Sequence, residues 1–205
     1  MERNRSDEAR IARRQPSGAA VRKSSVTDAL ARTFFEEWAK TGFAALSLER
    51  VAKRAGVGKA ALYRRWSSKV DMASDLLAQV GLTITQTDDM GSLEADLEAL
   101  LLAIRRVLRH RTIRRIVSDL HAEIGREPAL AEAIRPLQQA RRDRARDLVE
   151  RATARGELDP QVDFESIADL VAAPIYWRLV VVGGRSDRQH IRRLARMCAA
   201  AARTA

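Results

Sequence analysis

The sequence predicts an all-α protein of about nine helices, with a small N-terminal unit of three helices ahead of a larger C-terminal helical body. Three observations carry this. Aromatic residues make up only 4% of the 205 residues and Gly (10) and Pro (5) are few, whereas sandwiches and barrels need turn residues and packed aromatics throughout. The bulk of the chain is Ala, Leu, Arg and Glu, which form helices readily. The apolar residues recur with helical spacing, and no stretch makes a convincing strand.

The elements follow in order. Residues 1–22 read as a flexible basic tail, with Arg3, Arg5, Arg10, Arg13 and Arg14 and almost nothing to bury. From Ser25, Val26, Leu30, Phe34 and Trp38 form the stripe of an amphipathic helix that Gly42 stops. Ser47 caps a short second helix broken at Gly56, and a third runs from Gly58 to Trp66. Ser68 with Asp71 has capping-box spacing, and opens a helix from Lys69 to about Thr85. Ser92 caps the next, through Leu108, and another runs from Thr112 to Ile124, ended by Gly125. Pro128 starts a long helix expected to continue unbroken to Arg155. Asp163 caps an apolar helix reaching Gly183-Gly184, with Pro174 expected to kink it near Tyr176-Trp177. The last helix begins near Ser186.

Composition excludes several classes. The single cysteine, Cys198, rules out a disulfide framework and a cysteine-based metal site, and fits a reducing, cytoplasmic compartment. No apolar run approaches the roughly 18 residues of a membrane span. No Gly-rich phosphate loop or nucleophile setting is present, and His121-Ala122-Glu123 lacks the P-C-x-x-C partner of a zinc deaminase, so neither an enzyme nor a cofactor is expected. The net charge is +10, and residues 1–71 alone balance to +8. A basic N-terminal unit on a near-neutral body suggests an anionic partner, nucleic acid or a membrane surface.

The segment from Ser47 to Trp66 decides between these partners. Ala52 stands four residues before Gly56 and Leu62 six after it, the spacing of a helix-turn-helix over residues 23–71. The small Ala lets the helices cross, Gly accepts the turn's backbone, and Leu plugs the core between them. The outward residues of the second helix are Lys59, Ala60, Ala61, Tyr63, Arg64 and Arg65. Arg and Lys bond guanine edges, Ala touches a thymine methyl, and Tyr and Lys suit phosphates.

Residues 27–75 resemble the N-terminal domain of TetR-type transcriptional regulators. The resemblance rests on Ala29, Phe34, Gly42-Phe43, Leu48 to Ala52, Ala55 to Lys59, Leu62-Tyr63-Arg64, Trp66, Lys69 and Leu76-Leu77. Gly58, Trp66 and Val70-Asp71 depart from the family's usual residues. The resemblance implies a homodimer on double-stranded DNA at a palindromic operator, usually a repressor released by a small molecule. It implies that Ser47 and Arg50 lie near the DNA backbone, that Lys59, Ala60, Ala61 and Arg64 face bases, and that Tyr63 and Lys69 hold phosphates; Arg65 could do either. Arg13 and Arg14 of the tail could add minor-groove contacts.

The body, residues 72–205, would then bind ligand and dimerise. The small-residue stripe of the last helix, Ile191, Leu194, Ala195, Cys198 and Ala199, is expected at the dimer contact, with a purely intrachain core as the alternative. Leu120, His121, Arg141, Tyr176 and Trp177 are the expected pocket residues; Arg141 or Arg144 falls on the apolar line from Leu137 to Leu148, where a buried Arg would need an anion such as a ligand carboxylate, the alternative being a solvated face or pairing with Asp143 and Asp147. A protein that used its basic unit on DNA without sequence preference is the rival reading, and differs by its specificity ratio.

Overall fold

The computed structural model describes residues 18–85 and 88–204, with side chains at 26–80 and 88–204. Ten α-helices fill the described residues: α1 (Gly18–Thr41), α2 (Leu48–Arg54), α3 (Lys59–Tyr63), α4 (Lys69–Thr85), α5 (Leu93–Leu108), α6 (Arg111–Ile124), α7 (Pro128–Ala133), α8 (Arg135–Ala154), α9 (Phe164–Tyr176) and α10 (Arg188–Ala202). A five-residue π-helical segment, Trp177–Val181, continues α9.

Local chemistry accounts for most of the boundaries. The side chains of Ser47, Ser92, Asp163 and Asp187 each accept a backbone N–H in the first turn of α2, α5, α9 and α10. At the start of α4, Ser68 Oγ accepts from Asp71 N at 3.0 Å and Asp71 Oδ2 from Ser67 N at 2.8 Å, the reciprocal capping expected from the spacing.

Three expectations are corrected. α1 starts at Gly18, so residues 18–22 are helical rather than part of the tail; Ala19, Ala20, Val21, Arg22 and Lys23 contain nothing that stops a helix. Arg13 and Arg14 lie outside the described residues. The long helix from Pro128 is two helices, broken at Ile134. Pro136 has no N–H for the carbonyl of Glu132, and its ring excludes that carbonyl from a continuous helix. The apolar helix after Asp163 changes to π-helical hydrogen bonding at Trp177, three residues past Pro174, close to the kink expected there.

The interior forms two clusters. One joins α5, α8, α9, the π segment and α10 around Leu97, Leu101, Leu148, Ile175 and Ile191. The other gathers Leu30, Phe34, Trp38, Val51, Leu62 and Met72 from α1–α4, and closes over them with Ile116 and Leu120 of α6, Leu130 of α7 and Ile134 at the break after it. The first three helices therefore complete their core with side chains of the body, so a movement of α6 reaches them through packed side chains. Among the described residues no helix is long and apolar enough to cross a membrane.

Candidate nucleic-acid interface

The turn between α2 and α3 is built as the spacing requires. Gly56 has φ +67°, a left-handed conformation that a β-carbon disfavours. Val57 N donates to Ala52 O at 2.9 Å and closes the end of α2. Ala52 and Leu62 are buried where the two helices meet. Burying Leu62 contributes about 1.5–3 kcal/mol to a cluster that also holds Trp38 and Phe34, whose rings meet edge to face at 5.8 Å.

This packing leaves one face of α3 outward. Lys59, Ala60, Tyr63, Arg64 and Arg65 are exposed, and Ala61 is half-buried. Lys59 Nζ pairs with Glu49 Oε1 at 2.6 Å, and Arg65 donates to Thr27 Oγ1. The side chains of Arg64 and Tyr63 make no hydrogen bond or ion pair among the described residues. They are the uncommitted groups at the end of the short helix.

The other expected contacts serve the frame as well. Ser47 caps α2 through Arg50 N. Arg50 Nε bonds Glu37 Oε1 at 2.5 Å, and its Nη2 bonds Ala45 O at 2.5 Å. Arg54 bonds the other oxygen of Glu37 at 3.1 Å. The Arg50 guanidinium holds the Glu37 carboxyl below the usual carboxylate range, against burial, which raises it. Two arginines of α2 are thus locked to one buried acid of α1. Lys69 Nζ donates to Phe43 O at 2.7 Å and Ala44 O at 2.8 Å and lies 4.8 Å from the centre of the Phe43 ring. An ammonium has three donors, which leaves one for a phosphate.

The same turn is held from the body by a residue that sequence reasoning missed. Asp119 of α6 accepts, on one oxygen, Trp38 Nε1 at 2.6 Å and Phe43 N at 2.8 Å. Gly42 sits against it with φ +77°, and a β-carbon there would lie 3.0 Å from Asp119 Oδ1. Asp119 neighbours Leu120 on the apolar stripe of α6, but no local pattern reveals partners 76 and 81 residues away. Beside it, a cleft of about 630 Å³ opens between α1, α6 and the π segment, with Arg111, Arg114 and Arg115 on its wall.

The expected pocket residues separate. His121 and Tyr176 meet: Tyr176 Oη lies 3.2 Å from His121 Nδ1, and the rings are 5.2 Å apart. Nδ1 is 2.7 Å from Val117 O, so it carries the proton and donates to that carbonyl. Leu120 is instead buried in the cluster under α1–α4. Arg141 is exposed on α8, and Arg144 is the one turned inward, 5% exposed. Trp177 points out of the chain, 61% exposed. The five α10 residues expected at a dimer contact, Ile191, Leu194, Ala195, Cys198 and Ala199, lie inside the chain's own core against α5 and α9. Cys198 Sγ is 4.0 Å from Leu170 O, the carbonyl whose helical donor is missing at Pro174, and burial pushes its thiol pKa up. Trp177, Val181, Val182 and Met197 are among the large apolar side chains left exposed, as is Met90 before α5.

A basic helix-turn-helix seated on an all-helical body is the build of a one-chain DNA-binding regulator. Residues 33–76 match the model of the bacterial regulatory proteins of the tetR family, and residues 87–198 match the tetracyclin repressor-like C-terminal domain. An uncharacterised HTH-type transcriptional regulator of Bacillus subtilis, YdeS, is 30% identical over 154 residues, covering 75% of this chain and 77% of its own. The crystal structure of the TetR-family regulator SCO0332 superposes with a TM-score of 0.65 at 28% identity, covering 86% of this chain and 97% of that one. Salmonella enterica GusR superposes at 0.64 with 23% identity, covering 87% and 92%. The chain belongs to the TetR family of transcriptional regulators, and is a DNA-binding protein rather than an enzyme.

Proposed function

We propose that the chain is a homodimeric, cytoplasmic repressor that binds a palindromic operator through residues 23–71 and is released by a small-molecule effector bound in the body, residues 72–205. The observation that carries this reading is the outward face of α3, where the exposed side chains of Arg64 and Tyr63 have no hydrogen-bond or ion-pair partner among the described residues. Arg64, Lys59, Ala60 and Ala61 read base edges; Tyr63, Lys69, Ser47 and Arg50 meet the DNA backbone, with Arg65 able to do either. Lys59 exchanges Glu49 for a base, an exchange favoured by the high solvent exposure of both groups. Arg13 and Arg14 add contacts from the tail.

In the dimer, the two copies of α3 enter successive major grooves about 34–36 Å apart. The exposed face of α9, the π segment and α10, with Trp177, Val181, Val182 and Met197, supports a contact there, because solvent-exposed apolar groups on adjacent elements mark an association surface. The five inward residues of α10 then back that face rather than form it. His121 and Tyr176 stand where α6 meets α9, so a ligand that parts or tightens this pair acts on α6 and, through Asp119, on the turn before α2. Effector and operator oppose each other by linkage, typically about 5–150-fold in affinity.

The test compares binding to a preferred site and to random DNA. Wild-type protein is expected to favour its site by roughly a thousandfold or more. Arg64→Ala is expected to relax base preference at one position of each half-site, worth about 1–3 kcal/mol there, whereas Tyr63→Ala weakens all sequences alike. Fluorescence anisotropy with single-base variants of the site measures both; an unchanged preference profile in Arg64→Ala removes its base-reading role.

A further inference from the structure

Arg144 is the least comfortable side chain among the described residues. It is 5% exposed, on the inward face of α8 with Ala145, Leu148 and Val149. Its Nε and Nη2 are buried and donate to nothing. Arg151, two turns further along the same face, is in the same condition at its own Nε and Nη2. Its nearest acids stand at ion-pair distances only, 3.7 Å to Asp96 and 4.0 Å to Asp89.

Two of the carboxylates at this end of α5 and α8 already hold other partners. Asp96, fully buried, accepts Met90 N at 2.8 Å on one oxygen and Arg155 Nη2 at 3.0 Å on the other. Asp89 takes Gly91 N and Arg155 Nη1, both at 2.8 Å, on the same oxygen. Asp147, Asp96 and Asp88 are near enough to favour the charge of Arg144, while Arg151 repels it. Burial holds the Arg144 guanidinium below its ordinary pKa. Arg144 therefore faces the interior with two N–H-bearing nitrogens unsatisfied, beside a second arginine whose buried nitrogens are held only at ion-pair distance. A buried cation of this kind is kept at the expense of stability unless an anion meets it.

We propose that Arg144, flanked by Arg151, is an anion site in the body and takes the carboxylate of the effector. An arginine fork matches a carboxylate with two parallel hydrogen bonds, and the anion relieves the Arg144–Arg151 repulsion at the same time. The buried apolar side chains beside it on α8, Ala145, Leu148 and Val149, suit a small molecule with an apolar body. This rests on the reading of the body as an effector sensor, and names the class of effector: a small organic carboxylate.

The experiment is thermal melting of the full-length protein, with benzoate titrated against chloride at constant ionic strength. In chloride alone, Arg144→Met is expected to melt higher than wild type by roughly 5 °C, because the unpartnered charge is gone and the methionine fills the space. Benzoate is expected to raise the melting temperature of wild type in a saturable manner and to leave Arg144→Met unmoved. Arg144→Lys keeps the charge without the fork, so it stays as unstable as wild type and gains less from benzoate. An Arg144→Met protein that melts lower than wild type, or benzoate that stabilises both alike or neither, overturns the proposal. Selective DNA binding by wild type, measured on the same preparation, separates the two readings. Where it is present and the melting goes the other way, the anion site alone falls; where it is absent, the regulator reading falls with it.

Discussion

Replacing Asp119 by alanine is expected to lower the stability of the protein by about 3 kcal/mol, a fall of roughly 6–12 °C in melting temperature for a chain of this size. The carboxylate accepts two hydrogen bonds on a single oxygen, from Trp38 Nε1 and from Phe43 N. Trp38 and Phe43 are both buried, so removing the acceptor leaves their donors with no protein partner in its place. Hydrogen bonds to a charged group are worth about 1.5–3 kcal/mol each, and the two orphaned donors add their desolvation. Asp119→Asn keeps an acceptor without the charge and is expected to fall between. Because Lys69 holds the carbonyls of the same turn from α4, the loss of Asp119 frees only one side of it. Operator affinity should therefore fall while effector binding in the body survives. Melting and DNA titration of the two variants check this; an Asp119→Ala protein within about 0.5 kcal/mol of wild type would show that the turn is held elsewhere.

The second large effect concerns assembly. Trp177→Glu is expected to leave the fold of a single chain nearly unchanged, because the side chain is 61% exposed and fills no core position. It places a charge among the exposed apolar side chains of the π segment and its end, Trp177, Val181 and Val182. The dimer proposed across that surface should dissociate, since a charge buried there would have no partner. Two half-site contacts then become one, and operator affinity should drop by roughly 10²–10⁴-fold. Sedimentation and DNA titration read the two effects together. A Trp177→Glu protein that remains a dimer at the same concentration would place the contact on another face.

What the sequence revealed follows the range of the interactions involved. Gly56, Ala52 and Leu62 could be placed because a helix-turn-helix is a local device with fixed offsets. The caps at Ser47, Ser92 and Asp163 and the disturbance after Pro174 are local too. The break at Ile134 was within reach, since Pro136 is visible, but the apolar line through Leu130, Ile134 and Leu137 runs across it unbroken. The stripe of α10 showed that one face is apolar and small. Periodicity cannot tell whether such a face meets its own chain or another, and here it packs against α5 and α9. Arg141 and Arg144 flank the line toward Leu148 at nearly the same angle, and only the packing of α8 decides which is buried. Asp119, joined to residues 76 and 81 positions earlier, left no local trace.

The central claim is that two copies of α3 read one operator together. The most direct measurement is selection from a random double-stranded DNA library with the purified protein at physiological salt. The expected result is an inverted repeat whose half-sites are centred about one helical turn apart, with affinity far above that for random DNA. A library that yields no repeated motif, and binding that fades with salt equally for every sequence, would contradict the claim and leave only electrostatic attraction between the basic unit and DNA.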